Sequence, residues 1–167
     1  GISLTNGSSL DAAVYSGGTG GDVTVNVENS LGISARSEGS AGADGVDAVE
    51  GVHGSTAGGD GTNAGNVTVS TIENVNSQTS ITTQGANSYG ILAISQGGSG
   101  GKGGDGVTFA GSSPGGTGGS GGTVDVTGSG SISTSGNNSY GILAITAGGD
   151  GGDGGMGFLW APGCGGG

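Results

Sequence analysis

An internal repeat constrains the fold of this chain more than any single residue does. The 24-residue stretch 81–104 recurs at 132–155, 51 residues further on, with 17 identical positions. A repeated unit of this size cannot enclose a hydrophobic core alone, so successive units must stack on one another. The sequence therefore predicts a stack of similar layers, and we expect residues 1–167 to be a single excerpt of a longer repeat protein.

Three short strand signals recur in each unit. In all of them β-branched residues alternate with small polar residues between Gly, Asn and Ser, which is typical of strands. The predicted first row consists of 23–25, 67–69 and 124–126, the second of 2–4, 33–35, 81–83 and 132–134, and the third of 12–14, 45–49, 90–94 and 141–145. Three strands over 124–145 match one turn of a three-sided parallel β-helix, with turns about 4.8 Å apart. The sequence thus predicts an all-β fold, a parallel β-helix or solenoid.

The repeated Asn-Ser-Tyr segments should lie on top of one another at one corner of the stack. Asn87 and Tyr89 would then lie below Asn138 and Tyr140. Stacked Asn amides can hydrogen-bond along the axis, and stacked Tyr rings can cover the turn. We therefore predict a structural ladder at these four residues, with a sugar-stacking platform at the Tyr pair as the alternative.

Glycine-rich inserts follow the third strand of each unit and lengthen along the chain, at 17–22, 50–66, 97–123 and 148–167. Within the third insert, two nine-residue legs repeat Gly-Gly-X. A period of three matches polyproline II geometry, with a rise of about 3.1 Å per residue. Because ordering a backbone costs roughly 1–2 kcal/mol per residue, a lone arm would stay disordered. We predict that the arms pack side by side in a polyglycine II layer, and irregular ordered loops are the alternative.

The predicted arm tips concentrate the large apolar residues of the chain. Both Phe residues and the only Trp lie there. Exposed apolar patches mark contact sites, and aromatic side chains are favoured anchors. The contact candidates are Val107, Phe109, Phe158, Leu159 and Trp160. They would contact another arm or another chain, or recognise a ligand or a host surface.

Charge and composition argue against several functions. The formal net charge is −11, with two basic residues against 13 acidic ones, which gives no electrostatic footprint for nucleic acid. The chain has one His and one Cys, with no nucleophile–base pair and no zinc-ligand spacing. No apolar run approaches the roughly 20 residues of a membrane-spanning helix. We expect no catalysis, no cofactor, no nucleic-acid partner and no membrane insertion by this segment.

Aspartates within the glycine runs raise the question of a calcium site. Asp60, Asp105, Asp150 and Asp153 lie in such runs. Calcium-binding β-rolls repeat Gly-Gly-x-Gly-x-Asp-x-aliphatic-x every nine residues. Here the period is three and the aliphatic position is missing, so we predict no metal site.

The residues at 81–101, ITTQGANSYGILAISQGGSGG, and their copy at 132–152 resemble the glycine-rich passenger-domain repeats of bacterial autotransporter (type V secretion) proteins. The resemblance implies a right-handed parallel β-helix that is extracellular or displayed on a Gram-negative cell surface, anchored in the outer membrane through a region outside this chain. It also implies a role in adhesion, aggregation or biofilm formation. The Gly-Gly-X legs with hydrophobic tips also look like the polyglycine II receptor-binding tips of certain phage tail-fibre adhesins.

The sequence and the resemblance together predict an extracellular structural or adhesive β-helix. Its partners would be other copies of itself, and a host or neighbouring cell surface. One alternative is a subunit of a self-assembling filament or sheet. Another is an ice-binding or other ligand-binding solenoid, which would need regular outward Thr rows, whereas positions 24, 68 and 125 read Thr, Thr and Asp. A β-helical polysaccharide lyase would need acid and base residues clustered on one face.

Overall fold

The computed structural model describes residues 2–5, 10–15, 23–28, 32–71, 80–158 and 165–166, and over this part of the chain it is all-β. The strands are β1 (Ile2–Thr5), β2 (Leu10–Tyr15), β3 (Val23–Glu28), β4 (Ile33–Glu38), β5 (Val67–Thr71), β6 (Ser80–Gln84), β7 (Tyr89–Gln96), β8 (Val124–Gly128), β9 (Ser131–Ser135) and β10 (Tyr140–Ala147). The described residues include no helix of the length and apolar character that a membrane span requires.

The strands form three parallel sheets in which successive units lie side by side. The first sheet has the order β1-β3-β5-β8, the second β2-β4-β7-β10, and the third β6-β9. We number the units by their strands: unit 1 is β1 and β2, unit 2 is β3 and β4, unit 3 is β5 to β7, and unit 4 is β8 to β10. The prediction of parallel strands in register is confirmed, since Val67 pairs with Val124 and Tyr89 pairs with Tyr140.

The core is a thin layer of small aliphatic side chains. Because successive strand residues point to opposite faces, buried and half-buried residues alternate along β4 and β5. The buried residues that pack together are Ile33, Ala35, Val67, Val69, Ile81, Ile91 and Ala93. Both four-stranded sheets and the two-stranded sheet contribute to this cluster, so the core lies between the three sheets.

Two of the predicted row assignments are wrong. Residues 33–35 pair with 91–93 in the second sheet instead of with 81–83, and residues 2–4 pair with 25–27 in the first sheet. The pattern Ile-x-Ala-x-Ser, shared by β4 and β7, decides the first case, because its Ala and Ser residues are fully buried in both strands. The placement of 12–14 is confirmed, since β2 pairs with β4.

The predicted strand at 45–49 is also wrong. This segment belongs to a glycine-rich arm that begins directly after β4, at Gly39 instead of at the predicted position 50. The backbone N–H groups of Gly39, Gly42, Gly45 and Ala48 donate to the next unit at every third residue, which is not a strand pattern. The predicted first insert, 17–22, lies outside the described residues.

A buried hydrogen-bond ladder joins the second sheet to the arms. The Gly65 N–H donates to Ser37 Oγ at 2.9 Å, and Ser95 Oγ donates to the Gly65 carbonyl at 2.8 Å. The Gly122 N–H donates to Ser95 Oγ at 2.7 Å, and Thr146 Oγ1 donates to the Gly122 carbonyl at 2.7 Å. Ser37 and Ser95 are fully buried. The ladder therefore fixes the point at which each returning arm re-enters the stack.

We expect the substitution Ser95→Ala to lower the free energy of unfolding by about 1–3 kcal/mol, because it leaves the Gly65 carbonyl and the Gly122 N–H without this partner in a buried place. Urea denaturation measures the change. The control is Ser99→Ala, an exposed serine on an arm, which should change stability by less than about 0.5 kcal/mol. Equal stability of the two variants would show that the ladder contributes nothing.

Candidate contact surface on the glycine-rich arms

Each arm consists of glycine-rich legs that run away from the strands and back again. The outbound legs of units 2, 3 and 4 are 39–48, 97–106 and 148–156, and the return legs of units 2 and 3 are 56–66 and 113–123. Outbound legs of successive units pair in parallel, as in the bonds from the Gly42 N–H to the Ser99 carbonyl and from the Gly100 N–H to the Asp150 carbonyl, both 2.8 Å. Return legs pair in the same way, with the Gly61 N–H donating to the Thr117 carbonyl at 2.8 Å.

Outbound and return legs are joined by continuous hydrogen-bond rungs that cross the arms. In the central rung, the Gly59 N–H donates to the Ala43 carbonyl (2.7 Å), and the Gly101 N–H donates to the Gly59 carbonyl (2.8 Å). The rung continues with the Gly116 N–H, which donates to the Gly101 carbonyl (2.9 Å), and the Gly152 N–H, which donates to the Gly116 carbonyl (2.8 Å). Two further rungs repeat this connection three residues nearer to the strands and three residues nearer to the tips. Each leg is thus bonded to neighbours on several sides.

The close approach of the legs requires glycine at rung positions such as Gly101 and Gly116. A Cβ at Gly101 would overlap the carbonyl oxygen of Ala43, and a Cβ at Gly116 would overlap that of Gly59. Both clashes involve backbone atoms that are held in the rungs, so a neighbouring side chain cannot relieve them. Glycine is therefore a packing requirement at these two positions, whereas other rung positions, such as Ala43 and Thr62, carry side chains.

The X residues use their side chains to accept hydrogen bonds from the next unit. An Asp or Asn Oδ1 accepts the backbone N–H of the X residue one unit further along, at distances of 2.8–2.9 Å, in the pairs Asp44–Lys102, Asp47–Asp105, Asp60–Thr117, Asn63–Ser120, Asn66–Thr123 and Asp105–Met156. The glycine rungs leave these N–H groups free. The Asp and Asn residues of the arms therefore act as acceptors that complete the pairing of one unit with the next.

These hydrogen bonds lower the pKa of two of the carboxyl groups. The backbone N–H of Thr117 and then its hydroxyl hold the pKa of Asp60 below 3.8. For Asp105, the N–H of Met156 is the main cause of a lowered pKa, followed by the Lys102 ammonium at 3.0 Å. Asp105 in turn raises the pKa of Lys102. Both carboxylates, which the sequence raised as calcium candidates, are thus engaged with backbone N–H groups.

We expect the pairing of the return legs to weaken in acid. A carboxyl group with a lowered pKa in the folded state stabilises the structure above its unfolded value of 3.8 and loses this contribution as the pH falls through the folded value. The Thr117 amide proton shift, followed by NMR from about pH 6 to pH 2, should therefore titrate with a midpoint below the ordinary Asp pKa of about 3.9. In Asp60→Asn, which keeps an acceptor oxygen but cannot titrate, this transition should disappear. A midpoint at or above the ordinary value would contradict the assigned bond.

The tips of the arms are tight turns that expose apolar side chains. An isolated antiparallel bridge between Val49 and His53 closes the tip of unit 2, and one between Val107 and Ala110 closes the tip of unit 3. Phe109, between the two ends of the second turn, is 88% exposed. A groove of about 450 Å³ lies along these two tips and is lined by Val49, Val52, Phe109 and Ala110, with Glu50 and His53 at its side.

Phe109 has an unusual backbone conformation. Its φ angle is +72°, a region that bulky residues avoid. Such strain costs of order 1–3 kcal/mol and clusters at sites that contact ligands. Two backbone hydrogen bonds between Val107 and Ala110, of 2.9 and 3.0 Å, close the turn around it. The turn thus holds the ring out in solvent.

The structure describes three of the five predicted contact residues and shows further exposed apolar residues on the arms. Val107 is half-buried, whereas Phe109 and Phe158 are exposed, and Leu159 and Trp160 lie outside the described residues. The large apolar residues that the sequence reading missed at the arms are Val46, Val49, Val52 and Met156, all exposed. Three of them are spaced by three residues, which is the Gly-Gly-X period. This spacing indicates an arm, whereas the predicted strand at 45–49 depended on Val46 and Val49 alone.

At the corner of the stack, the two Tyr rings lie face to face. The ring centroids of Tyr89 and Tyr140 are 5.9 Å apart, and the rings are inclined by 7°. Asn87 and Asn138 adopt positive φ angles of 58° and 56°, as the turn requires. The backbone bond along the stack at this corner runs from the Asn87 N–H to the Asn137 carbonyl, and the amide ladder stays a prediction. The stacked rings also cover each other, which leaves fewer free ring faces for a sugar.

Comparison with protein-family models, curated proteins and solved structures found no match to this chain. Over the described part of the chain, no three His, Cys, Asp or Glu side chains converge on a point that could hold a metal ion. The most distinctive surface of the described residues is therefore the apolar face of the arm tips, which we call the tip face: Val46, Val49, Val52, Phe109, Met156 and Phe158.

Proposed function

We propose that this chain is part of an extracellular structural and adhesive protein of a bacterial cell surface, in which a parallel β-helix carries polyglycine II arms and the tip face makes the contacts. The observation that carries the proposal is the combination of a hydrogen-bonded arm layer with apolar side chains at its outer end. No catalytic step forms part of the proposal.

The β-helix assignment rests on the order of the strands. Each of the two four-stranded sheets gains one parallel strand per unit, in chain order. A chain that visits the same sheets in the same order in every unit winds around a common core, and the core residues of all three sheets form one cluster. The polyglycine II assignment rests on the three-residue period of the bonds, which is the number of residues per turn of that helix.

Adhesion is supported by the chemistry of the tip face. Phe109, Val52 and Phe158 are 88%, 75% and 62% exposed. Val52 and Phe109 line one groove, and exposed apolar surface is typical of a contact site. Because the arm layer is already ordered, binding would not cost the entropy of ordering a loop. The partners that fit are a second copy of the chain and an apolar patch on a host or neighbouring cell surface. The resemblance of 81–101 to autotransporter passenger repeats favours the same role.

We expect the double substitution Phe109→Ser and Phe158→Ser to weaken adhesion. Loss of one buried aromatic anchor costs about 1.5–3 kcal/mol, so binding should fall by at least roughly tenfold. The 167-residue chain is coated on latex beads, and both the clumping of the beads and their attachment to bacterial and epithelial cell layers are measured.

The matched control is Ile145→Ser, which removes a 38% exposed apolar side chain from β10, away from the tips. Beads with this variant should behave like beads with the unchanged chain. If the double variant clumps and attaches as well as the unchanged chain does, the tip face is not the adhesive surface.

A further inference from the structure

The groove along the tips of units 2 and 3, which we call the tip groove, places a carboxylate beside apolar side chains. Its lining includes Val49, Glu50, Val52, Phe109 and Ala110. Glu50 is exposed, and no basic side chain among the described residues forms an ion pair with it. Both tips belong to units that have a further unit on either side in this sequence, so the groove is a feature of the interior of the stack.

The arms around the tip groove carry an excess of negative charge. Over 39–66, 97–123 and 148–158 the basic side chains are Lys102 and His53, whereas the acidic ones are Asp44, Asp47, Glu50, Asp60, Asp105, Asp150 and Asp153. The Lys102 ammonium lies 3.0 Å from Asp105 Oδ1, so its positive charge is already compensated. The arms therefore present a net negative field to a partner that approaches the tips.

This combination selects an occupant by charge as well as by hydrophobicity. Complementary charge steers a partner to its site and disfavours partners of the same sign. In about 0.15 M salt the Debye length is roughly 8 Å, so Glu50, which lines the groove, acts on an occupant more strongly than distant carboxylates do. A second copy of this chain, with its net charge of −11, would bring like charges together at the tips. The charges thus favour a partner with positive groups.

The small size of the site favours a polypeptide segment as the occupant. The tip groove has a volume of about 450 Å³, within the roughly 300–1,000 Å³ of small-ligand pockets, so it accommodates a few side chains and no folded domain. A protein segment in which an aromatic or aliphatic residue neighbours Lys or Arg supplies an apolar group and a positive charge close together. A neutral polysaccharide lacks the positive charge, and a surface of anionic lipid adds negative charge.

We propose that the tip groove binds a basic segment of a partner protein. An aromatic or aliphatic side chain of the partner lies against Val52 and Phe109, and a neighbouring Lys or Arg pairs with the Glu50 carboxylate. This inference rests on the proposed adhesive function and deepens it, because it names the chemistry of the surface to which the tips attach.

Three dye-labelled peptides test the proposed chemistry. The peptide GKFLKG carries apolar residues between lysines, GEFLEG carries the same apolar residues between glutamates, and GKSSKG keeps the lysines without the apolar residues. Fluorescence anisotropy measures the dissociation constant of each peptide from the 167-residue chain in about 0.15 M salt. We expect GKFLKG to bind at least roughly tenfold more tightly than either of the other two.

Substitutions in the groove test where the basic peptide binds. Glu50→Gln should weaken the binding of GKFLKG by roughly two- to fivefold, as expected for an exposed ion pair, and should not weaken that of GEFLEG. Val52→Ser should weaken the binding of GKFLKG as well. Both variants should fold, because the two side chains are exposed. The matched control is Asp125→Asn, which removes an exposed charge from β8 and should bind GKFLKG like the unchanged chain.

The results separate this inference from the proposed function. Equal affinity for GKFLKG and GEFLEG, no binding of GKFLKG, or an equal loss of binding in Glu50→Gln and Asp125→Asn would overturn the basic partner. The adhesive function would survive any of these results if the Phe109 and Phe158 double variant still lost bead attachment. Beads that clump with one another but attach to no cell layer would show that the partner is a second copy, which also contradicts the inference.

Discussion

Backbone hydrogen bonding between equivalent positions of successive units is the interaction on which the rest of this structure depends. In the strands it sets Val67 beside Val124, and in the arms it joins Gly59, Gly101 and Gly116 in one rung. A leg in the polyglycine II conformation that we propose would have no internal hydrogen bonds, and glycine pays the largest entropy cost on ordering. Neighbouring legs must therefore supply the partners that the backbone groups need. No leg is stable except as a member of the layer.

Strand pairing and leg pairing both join each unit to the next one, and they do so at the same spacing between units. The strands alternate with a period of two and enclose a thin aliphatic core, whereas the legs repeat with a period of three and enclose no core. The hydrogen-bond ladder through Ser37, Ser95 and Thr146 joins the strands to the legs at the root of the arms. The Asp and Asn side chains of the arms accept hydrogen bonds from backbone N–H groups of the next unit. This arrangement holds apolar side chains at the outer ends of the arms without a conventional core beneath them, which is the physical basis of the proposed adhesive role.

The parts of the fold that follow from short-range pattern could be predicted from the sequence. Alternating Val residues predicted the pairing of β3, β5 and β8 in the first sheet, and the repeated ITTQGANSYGILAI segment predicted the register of units 3 and 4. The sheet to which Ile33 belongs could not be predicted in this way, because the dipeptide Ile-Ser also occurs in β9 and only burial of the following Ala35 and Ser37 decides the sheet. Asp60 and Asp105 act as hydrogen-bond acceptors because of the leg that lies next to each of them. The sequence alone does not indicate which leg that is. The tip residue Phe109 was found from its position between two glycine legs, but its positive φ was not.

The most direct measurement of the central claim is the scalar coupling through the hydrogen bond between the Gly101 amide nitrogen and the Gly59 carbonyl carbon, in a chain labelled with ¹⁵N and ¹³C. The account predicts a resolved coupling there and between Gly116 and Gly101, as for the Tyr140 N–H and the Ser88 carbonyl at the corner of the stack. If the corner coupling is present and both arm couplings are missing, the arms are independent loops and the layer does not exist.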